Sequence, residues 1–193
     1  MTPGRVLVVC TGNICRSPLA ERLLQARLAH VGVQGIEVGS AGTHAMVGHP
    51  MPTDAARELA AVGGDPAGHV SRQLSAVLVR EADLVVTATL AHRSDVVSLH
   101  PPALRYAFTL RELARLLDGA DLGFVAAAAP GVDRVRALAA LAVGRRGVAS
   151  PAGPGDDDVV DPYGRRSAVY AEATMQTVPA VEALARALAT INV

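Results

Sequence analysis

The chain has 193 residues, of which 50% are hydrophobic, and its 18 acidic residues balance its 18 basic ones. This length fits one domain with an ordinary core, and zero net charge gives no electrostatic reason to expect nucleic acid or an anionic membrane as a partner. Every basic residue is arginine, so the absence of lysine excludes a Walker-type phosphate lysine, a Schiff-base lysine and a pyridoxal enzyme.

The cysteine content and the apolar runs indicate the compartment. Cys10 and Cys15 are the only cysteines, too few to staple a secreted domain of this length. The opening residues, MTPGRVLVV, hold too short an apolar stretch for a signal peptide, and no apolar run reaches the length of a membrane span. We therefore expect a soluble protein of the reducing cytoplasm.

The first half of the chain alternates short apolar runs with amphipathic segments. Residues 5–9 are β-branched and apolar, which predicts a buried parallel strand. Ser17 and Pro18 have the residue types of an N-cap and a first helical residue, and leucines at helical spacing continue to Gly32. The same patterns predict strands at 36–38 and 82–89 and helices at 53–62 and 91–98.

The second half continues this alternation and adds a segment that is harder to interpret. Its patterns predict a strand at 105–108, helices at 109–117, 132–143 and 165–188, and a long loop at 144–164. We expect Pro179 to break or kink the last helix. Alternating strands and helices predict an α/β fold, a single three-layer domain over 1–193 with a four-stranded parallel sheet flanked by helices. Residues 119–158 form an extended segment whose Ala-rich helix would cover an edge.

Cys10 follows the first predicted strand, where a cysteine is commonly a small core residue. It also lies beyond the carboxyl end of a strand, where α/β sheets form their sites. Gly12 and Asn13 tolerate positive φ, so the loop can curl with its N–H groups inward as an anion-binding nest at a helix N-terminus. Arg16 would offer a planar fork to two phosphate oxygens, and these positive surroundings would favour a thiolate.

The sequence VCTGNICRSPLAE at 9–21 closely resembles the signature of the low-molecular-weight protein tyrosine phosphatases, a C-x5-R-S phosphate loop at the first strand-to-helix turn. The resemblance extends to VGSAGT at 38–43, GHVSRQLS at 68–75 and the acid loop DPYGRRSAVY at 161–170. It implies hydrolysis of phosphotyrosine, an aryl phosphate monoester, through a cysteinyl-phosphate.

Two departures from the family pattern stand out. The chain is some tens of residues longer than is usual, with the excess near 119–158, which could alter the rim of the pocket. Gly164 stands where some members have a second tyrosine, which puts regulation by phosphorylation of that loop in doubt.

Three residues are predicted to carry the chemistry. Cys10 would attack phosphorus, Arg16 would bind the phosphoryl oxygens, and Asp161 would protonate the leaving group and then activate water. Asp-Pro is also an ordinary turn opener, but the rival carboxylates at 156–158 lie in a solvated acidic run. Tyr163 would form an aromatic wall beside a planar substrate.

The remaining loop residues would bind or support the phosphate. Ser17 would cap the helix, and the resemblance adds a hydrogen bond from it to the thiolate. Asn13 would hold the curl of the loop, and the family analogy pairs it with Ser40 and His69. The phosphate-binding set is completed by Thr11, Gly12, Ile14 and Cys15.

Neither a metal nor a cofactor is predicted, and the expected partners are a phosphotyrosine protein and an oxyanion in the loop. No metal-ligand spacing relates the cysteines to the other histidines, which are His30, His44, His49, His92 and His100.

Three alternatives to tyrosine phosphatase activity stay open. An arsenate reductase would need further thiols, and with only Cys15 in addition to Cys10 it would depend on an external small thiol. A protein arginine phosphatase is also possible, but similar members with that activity carry Thr in place of Ile14, and the larger Ile14 favours an aryl phosphate. A phosphate-binding regulatory module is disfavoured, because nucleophile, clamp and acid are all present.

Overall fold

Four parallel strands form a single sheet in the described part of the chain. The computed structural model describes residues 3–123, 133–147, 153 and 155–191. The strands are β1 (Gly4–Cys10), β2 (Ile36–Gly42), β3 (Leu84–Thr87) and β4 (Ala107–Thr109), in the spatial order β2-β1-β3-β4. The helices are α1 (Arg16–His30), α2 (Thr53–Ala61), α3 (Ala76–Glu81), α4 (Leu90–Leu99), α5 (Leu110–Leu117), α6 (Arg134–Gly144) and α7 (Ser167–Thr190), with a short 3₁₀ helix at Pro101–Arg105. The predicted α/β class with a four-stranded parallel sheet is confirmed.

The sheet lies between two helical layers because β1 is apolar on both of its faces. Val6 and Val8 belong to an apolar cluster with α1, α5 and α7, whereas Leu7 and Val9 belong to a second cluster with α3 and α4. This division follows from the two-residue period of a strand, and a parallel sheet covered on both sides has near-continuous apolar strands. Burial of each such side chain stabilises the fold by roughly 1.5–3 kcal/mol.

β2 is longer than the predicted 36–38, and its extension brings a second loop to the end of β1. Its last residue, Gly42, pairs with Cys10. A Cβ atom at Gly42 would collide with the carbonyl oxygen of Thr11. Glycine is therefore required at this position, where β1 and β2 end and their loops begin. Residues 39–42 have the sequence Gly-Ser-Ala-Gly, which lacks the apolar pattern of a strand, so the predicted strand ends at residue 38.

The last helix is not broken at Pro179. A break or a kink was expected there, and α7 continues from Ser167 to Thr190 with Pro179 inside it, which excludes the break. The missing N–H of Pro179 leaves the carbonyl of Met175 without its helical donor, and Met175 is 68% exposed, so water can supply the bond. No helix in the described ranges is both long and apolar enough to cross a membrane.

Other boundaries differ where elements are short. The predicted strand at 105–108 begins only at Ala107, because Pro101–Arg105 forms the 3₁₀ helix. Helix α3 had no predicted counterpart; Ser75 caps it by accepting a hydrogen bond from the N–H of Leu78. Six residues are too few for the helical period to show in a sequence.

Helix α6 comes from the extended segment and packs at the amino-terminal end of the sheet. Asp133 caps it by accepting from the N–H of Val135, and both side chains lie against Gly4 at the start of β1. Arg136 pairs with Asp83, directly before β3, with 2.6 Å between Nε and Oδ1. The helix therefore lies at the amino-terminal ends of the central strands β1 and β3, opposite to Cys10, and not over an edge of the sheet as expected. The remainder of the segment at 124–132, 148–152 and 154 lies outside the described residues.

Candidate active site

Cys10 lies at the base of a small cavity at the carboxyl end of the sheet. It is the last residue of β1, and α1 begins only six residues later, at Arg16. The cavity encloses about 150 Å³. A larger cleft of about 580 Å³ lies beside α6 at the opposite end of the sheet, but no cysteine lines it. The smaller cavity is lined by Cys10, Thr11, Gly12, Ile14, Cys15, Arg16, His44, Met46, Asp161 and Tyr163.

The loop from Cys10 to Arg16 turns its carbonyl groups outward. The carbonyls of Cys10, Thr11 and Gly12 accept hydrogen bonds from the N–H groups of residues 43, 44 and 46, at 2.9–3.0 Å. In a peptide unit the N–H points opposite to the carbonyl of the preceding residue, so the N–H groups of residues 11–13 face the space inside the loop. Those of residues 11–15 have no acceptor among the described residues. This arrangement is the one expected of an anion-binding nest, and the binding of an anion there stays a prediction.

Asn13 is the residue that holds this curl. It is fully buried, with a φ of 54°, a conformation that asparagine tolerates better than most residues. Its Nδ2 donates to Ser17 at 2.9 Å and to Ser40 at 2.7 Å, and its backbone carbonyl accepts from Nε2 of His69 at 2.7 Å. The structure thus brings together the three residues that the family analogy had paired.

The network continues into residues that the sequence analysis missed. The backbone N–H of Arg72 donates to Oδ1 of Asn13, the hydroxyl of Ser71 donates to the carbonyl of Gly12, and Ser40 donates to buried Glu21. The helical spacing at 17–32 predicts no separate role for Glu21. A burial signal was available for it, since a carboxylate on the apolar face of a helix needs a partner.

Ser17 does not cap α1, which corrects the prediction. Cys15 occupies the N-cap position and makes no side-chain capping bond. The hydroxyl of Ser17 accepts from Asn13 and lies 3.0 Å from Sγ of Cys10. Because its lone pairs face the amide, its hydrogen is available to the sulfur, in agreement with the contact that the resemblance implied.

Arg16 and Asp161 meet above the loop. Nη2 of Arg16 lies 2.7 Å from Oδ2 of Asp161, and its Nη1 donates to the carbonyl of Val159 at 3.2 Å. The side chain of Arg16 is only 7% exposed, whereas that of Asp161 is 53% exposed. Asp161 Oδ1 also accepts from the N–H of Tyr163. One carboxylate oxygen is therefore hydrogen-bonded within its own loop, and the other faces the guanidinium of Arg16.

The aspartates at 156–158, which are the alternative candidates for the acid, do not line the cavity. Asp157 is buried and pairs with Arg115 at 2.8 Å. Asp158 accepts from the N–H of Leu90 at the start of α4, and Asp156 is exposed and does not line the cavity. Asp161 is therefore the aspartate that the structure places in the cavity with Cys10.

The loop that carries Asp161 is anchored from three sides. Arg111 donates to the carbonyl of Asp158 at 2.9 Å, the N–H of Val159 donates to the carbonyl of Ala88, and the N–H of Val160 donates to Gln176. These anchors come from α5, the end of β3 and α7. Sequence patterns gave no sign of them, because each joins segments that are distant along the chain.

The rim of the cavity is apolar and aromatic. Ile14 is 5% exposed and lines the wall, and Tyr163 is 55% exposed, leaving its ring available to a substrate. His44 and Met46 complete the rim; the sequence analysis had assigned them no role. They lie just beyond β2, which was predicted to end earlier.

Cys15 differs from Cys10 in its surroundings. Burial, followed by the nearby Cys10 and Asp161 charges, raises the pKa of Cys15 to about 12, so it is a thiol at neutral pH. Both cysteines are free. Within the described ranges, no group of three or more His, Cys, Asp or Glu side chains is arranged to hold a metal ion.

Comparison with known proteins gives this arrangement a family context. The model of the family "Low molecular weight phosphotyrosine protein phosphatase" matches residues 5–121. The low molecular weight protein-tyrosine-phosphatase Etp of Escherichia coli K12 is 44% identical over 96 residues, which cover 50% of this chain and 62% of Etp. The probable phosphatase EpsP of Ralstonia nicotianae is 39% identical over 116 residues, or 60% of this chain and 76% of EpsP.

The fold comparison covers more of the chain. The YwlE arginine phosphatase from Geobacillus stearothermophilus superimposes with a TM-score of 0.66 and 30% identity, covering 95% of this chain and 92% of YwlE. The family match spans more than half of the 193 residues. The chain therefore belongs to the low molecular weight phosphotyrosine protein phosphatase family.

Proposed function

We propose that this protein is a protein-tyrosine phosphatase that hydrolyses phosphotyrosine and other aryl phosphate monoesters through a cysteinyl-phosphate. The observation that carries the proposal is the convergence of Cys10, Arg16 and Asp161 on one cavity whose floor is a nest of free N–H groups. The similarity to Etp and EpsP, both named as tyrosine phosphatases, supports it.

In the first step the phosphoryl group enters the nest. Its oxygens accept from the loop N–H groups and from Arg16, which leaves Asp161 to face the bridging oxygen. Cys10 attacks phosphorus in line, an S–P bond forms and the P–O bond to the leaving group breaks. Asp161 donates its proton to the departing phenoxide, and Arg16 together with the nest stabilises the charge that develops on the phosphoryl oxygens.

In the second step water replaces the phenol. Asp161, now a carboxylate, takes a proton from water, whose oxygen attacks phosphorus while the S–P bond breaks. The hydroxyl of Ser17, 3.0 Å from Sγ, donates a hydrogen bond to the leaving thiolate. Inorganic phosphate then leaves and the nest is free again.

The apolar rim supports an aryl substrate. Ile14 and Met46 line the cavity together with Tyr163, whose aromatic face a phenyl ring can stack on. A protein arginine phosphatase is the second candidate, supported by the similarity to YwlE. The bulk of Ile14 favours the aryl ester, because a branched guanidinium phosphate would press on it.

A turnover panel tests the proposal and separates the candidates. The substrates are para-nitrophenyl phosphate, a phosphotyrosine peptide, phosphoarginine, and arsenate with an external thiol. We expect the two aryl phosphates to be turned over much faster than phosphoarginine, with no arsenate reduction. Faster turnover of phosphoarginine would favour the second candidate, and phosphate binding without any turnover would favour a regulatory module.

We further propose that residues 1–193 form one domain that acts in the cytoplasm on a phosphotyrosine-containing protein. Helix α6, from the extended segment, packs on the same sheet as the rest of the chain, which supports a single unit. The two free thiols support a reducing compartment. Fractionation of cells that express the protein, followed by immunoblotting, tests the location.

A further inference from the structure

His92 contacts the phosphate loop from the opposite side of the sheet from α1. It lies in the first turn of α4, is 6% exposed, and does not line the cavity. Its Nε2 is 2.8 Å from Oγ1 of Thr11, and its Nδ1 is 2.7 Å from Oγ1 of Thr89. The proposed function gives this histidine no role.

The hydrogen bonds around Thr89 favour one tautomer of His92, in which Nδ1 accepts from the Thr89 hydroxyl. Oγ1 of Thr89 accepts from the backbone N–H of His92, as the N-cap of α4. Its hydroxyl hydrogen is therefore free to donate to Nδ1 of the ring. A neutral imidazole that accepts at Nδ1 carries its hydrogen on Nε2, so Nε2–H donates to Thr11.

The surroundings keep the imidazole neutral. Burial, and then the positive charge of Arg16, lower the pKa of His92 to about 4, against the opposing effect of three aspartates that face it, which are Asp95, Asp161 and Asp158. Across the range from pH 5 to 8 the ring thus keeps one donor and one acceptor.

With Nε2–H of His92 as the donor, the hydroxyl hydrogen of Thr11 has no acceptor in the imidazole and can be donated to another group. Its oxygen accepts from His92 and lies 3.5 Å from Nη2 of Arg16, so both of its acceptor positions face donors. The hydrogen must then point away from these two groups, and Thr11 lines the cavity of the nest.

We propose that His92 is a positioning residue that fixes the hydroxyl of Thr11 as an additional hydrogen-bond donor to the phosphoryl group. The inference rests on the proposed function of the cavity. In the bound state the chain of donors runs from Thr89 to His92, from His92 to Thr11, and from Thr11 to a phosphoryl oxygen. No proton is transferred along it, since each group only orients the next.

Two isosteric replacements of His92 separate positioning from packing. In His92→Asn the amide can reach only Thr89, the partner of Nδ1. In His92→Gln the longer amide can place an N–H where Nε2 donates to Thr11. Thr11→Val removes the hydroxyl and keeps the shape of the side chain.

The readout is the dissociation constant of inorganic phosphate, measured by calorimetry at pH 7. This measurement needs no turnover, so it remains valid if the protein proves not to be a tyrosine phosphatase. We expect Thr11→Val and His92→Asn each to weaken binding roughly 10- to 100-fold, as for the loss of one hydrogen bond to a charged group. The double variant should bind no more weakly than the weaker single variant, and His92→Gln should recover most of the loss.

Three outcomes would overturn the inference: phosphate affinity of His92→Asn within twofold of the parent, independent additive losses in the double variant, or equal affinities of the Gln and Asn variants. Thermal melts establish that each variant is folded. If the His92 variants do not fold, Thr11→Val decides alone, and an unchanged phosphate affinity in that variant refutes the proposal. A change in the pH profile of turnover between pH 5 and 8 in His92→Gln would also contradict it, because a positioning residue that stays neutral does not titrate there.

Discussion

Replacement of Asn13 by alanine should strongly lower the free energy of unfolding. The side chain makes three hydrogen bonds of 2.7–2.9 Å, to Ser17, Ser40 and the N–H of Arg72. At about 1 kcal/mol each, their loss amounts to about 3 kcal/mol of unfolding free energy. Alanine at a φ of 54° adds about 1–2 kcal/mol of backbone strain, so the total is about 4–5 kcal/mol.

Urea denaturation at pH 7 measures this loss, with Asn13→Gly as the matched control. Glycine loses the same three hydrogen bonds but adopts positive φ without strain. We therefore expect the glycine variant to be more stable than the alanine variant by about 1 kcal/mol. A loss below about 1 kcal/mol in Asn13→Ala would refute the hydrogen-bond accounting. A less stable glycine variant would refute the argument from strain.

The remaining predictions concern the chemistry of the cavity. Cys10→Ser should abolish turnover of an aryl phosphate but keep phosphate binding, and residual turnover within tenfold of the parent would contradict the assignment of the nucleophile. Asp161→Ala should lower turnover by roughly 10²–10⁴ for a poor leaving group and by less for a good one; a larger effect of Asp158→Ala would exclude Asp161 as the acid. Ile14→Thr should narrow the difference in rate between phosphotyrosine and phosphoarginine, and equal rates in the parent would remove the steric argument. Mild peroxide should inactivate the protein reversibly by joining Cys10 to Cys15, as peptide mapping and recovery with dithiothreitol would reveal; Cys15→Ser that recovers as fully as the parent would show that Cys15 only packs.

The strand, loop and helix around Cys10 could be predicted because their signals are local. An apolar run, a Gly-Asn pair and an amphipathic helix follow one another within 30 residues. Ser17 shows the limit of such signals, since its residue type fits a cap but its hydroxyl is used by Asn13 and Cys10. Local propensity is a weak prior once tertiary partners compete for the same group.

Ser40 and His69 were predicted only through the resemblance, and Arg72 and His92 were not predicted at all, because these residues act across long separations in the sequence. Arg72 and Asn13 are 59 residues apart, and His92 and Thr11 are 81 apart. In its own segment each of these polar residues looks like a common surface residue. Only the parallel order of β2, β1 and β3 brings their loops together at the carboxyl end of the sheet. Pro179 does not break the last helix for a local reason: solvent can satisfy the one carbonyl that it leaves without a donor.

The ion pair between Arg16 and Asp161 has a consequence for which anions can enter. While the cavity is empty, the guanidinium already has a counter-ion, held 2.7 Å away and attached to the same chain. A tethered group competes at a high effective concentration, so a chloride or a carboxylate from solution gains little by displacing Asp161. A tetrahedral oxyanion such as phosphate, sulfate or arsenate has enough oxygens to contact the N–H groups of the loop as well as the guanidinium, so we expect such an anion to displace Asp161 where chloride does not. We expect the same carboxylate to return to Arg16 when the anion dissociates, because the two groups are already paired in the empty cavity.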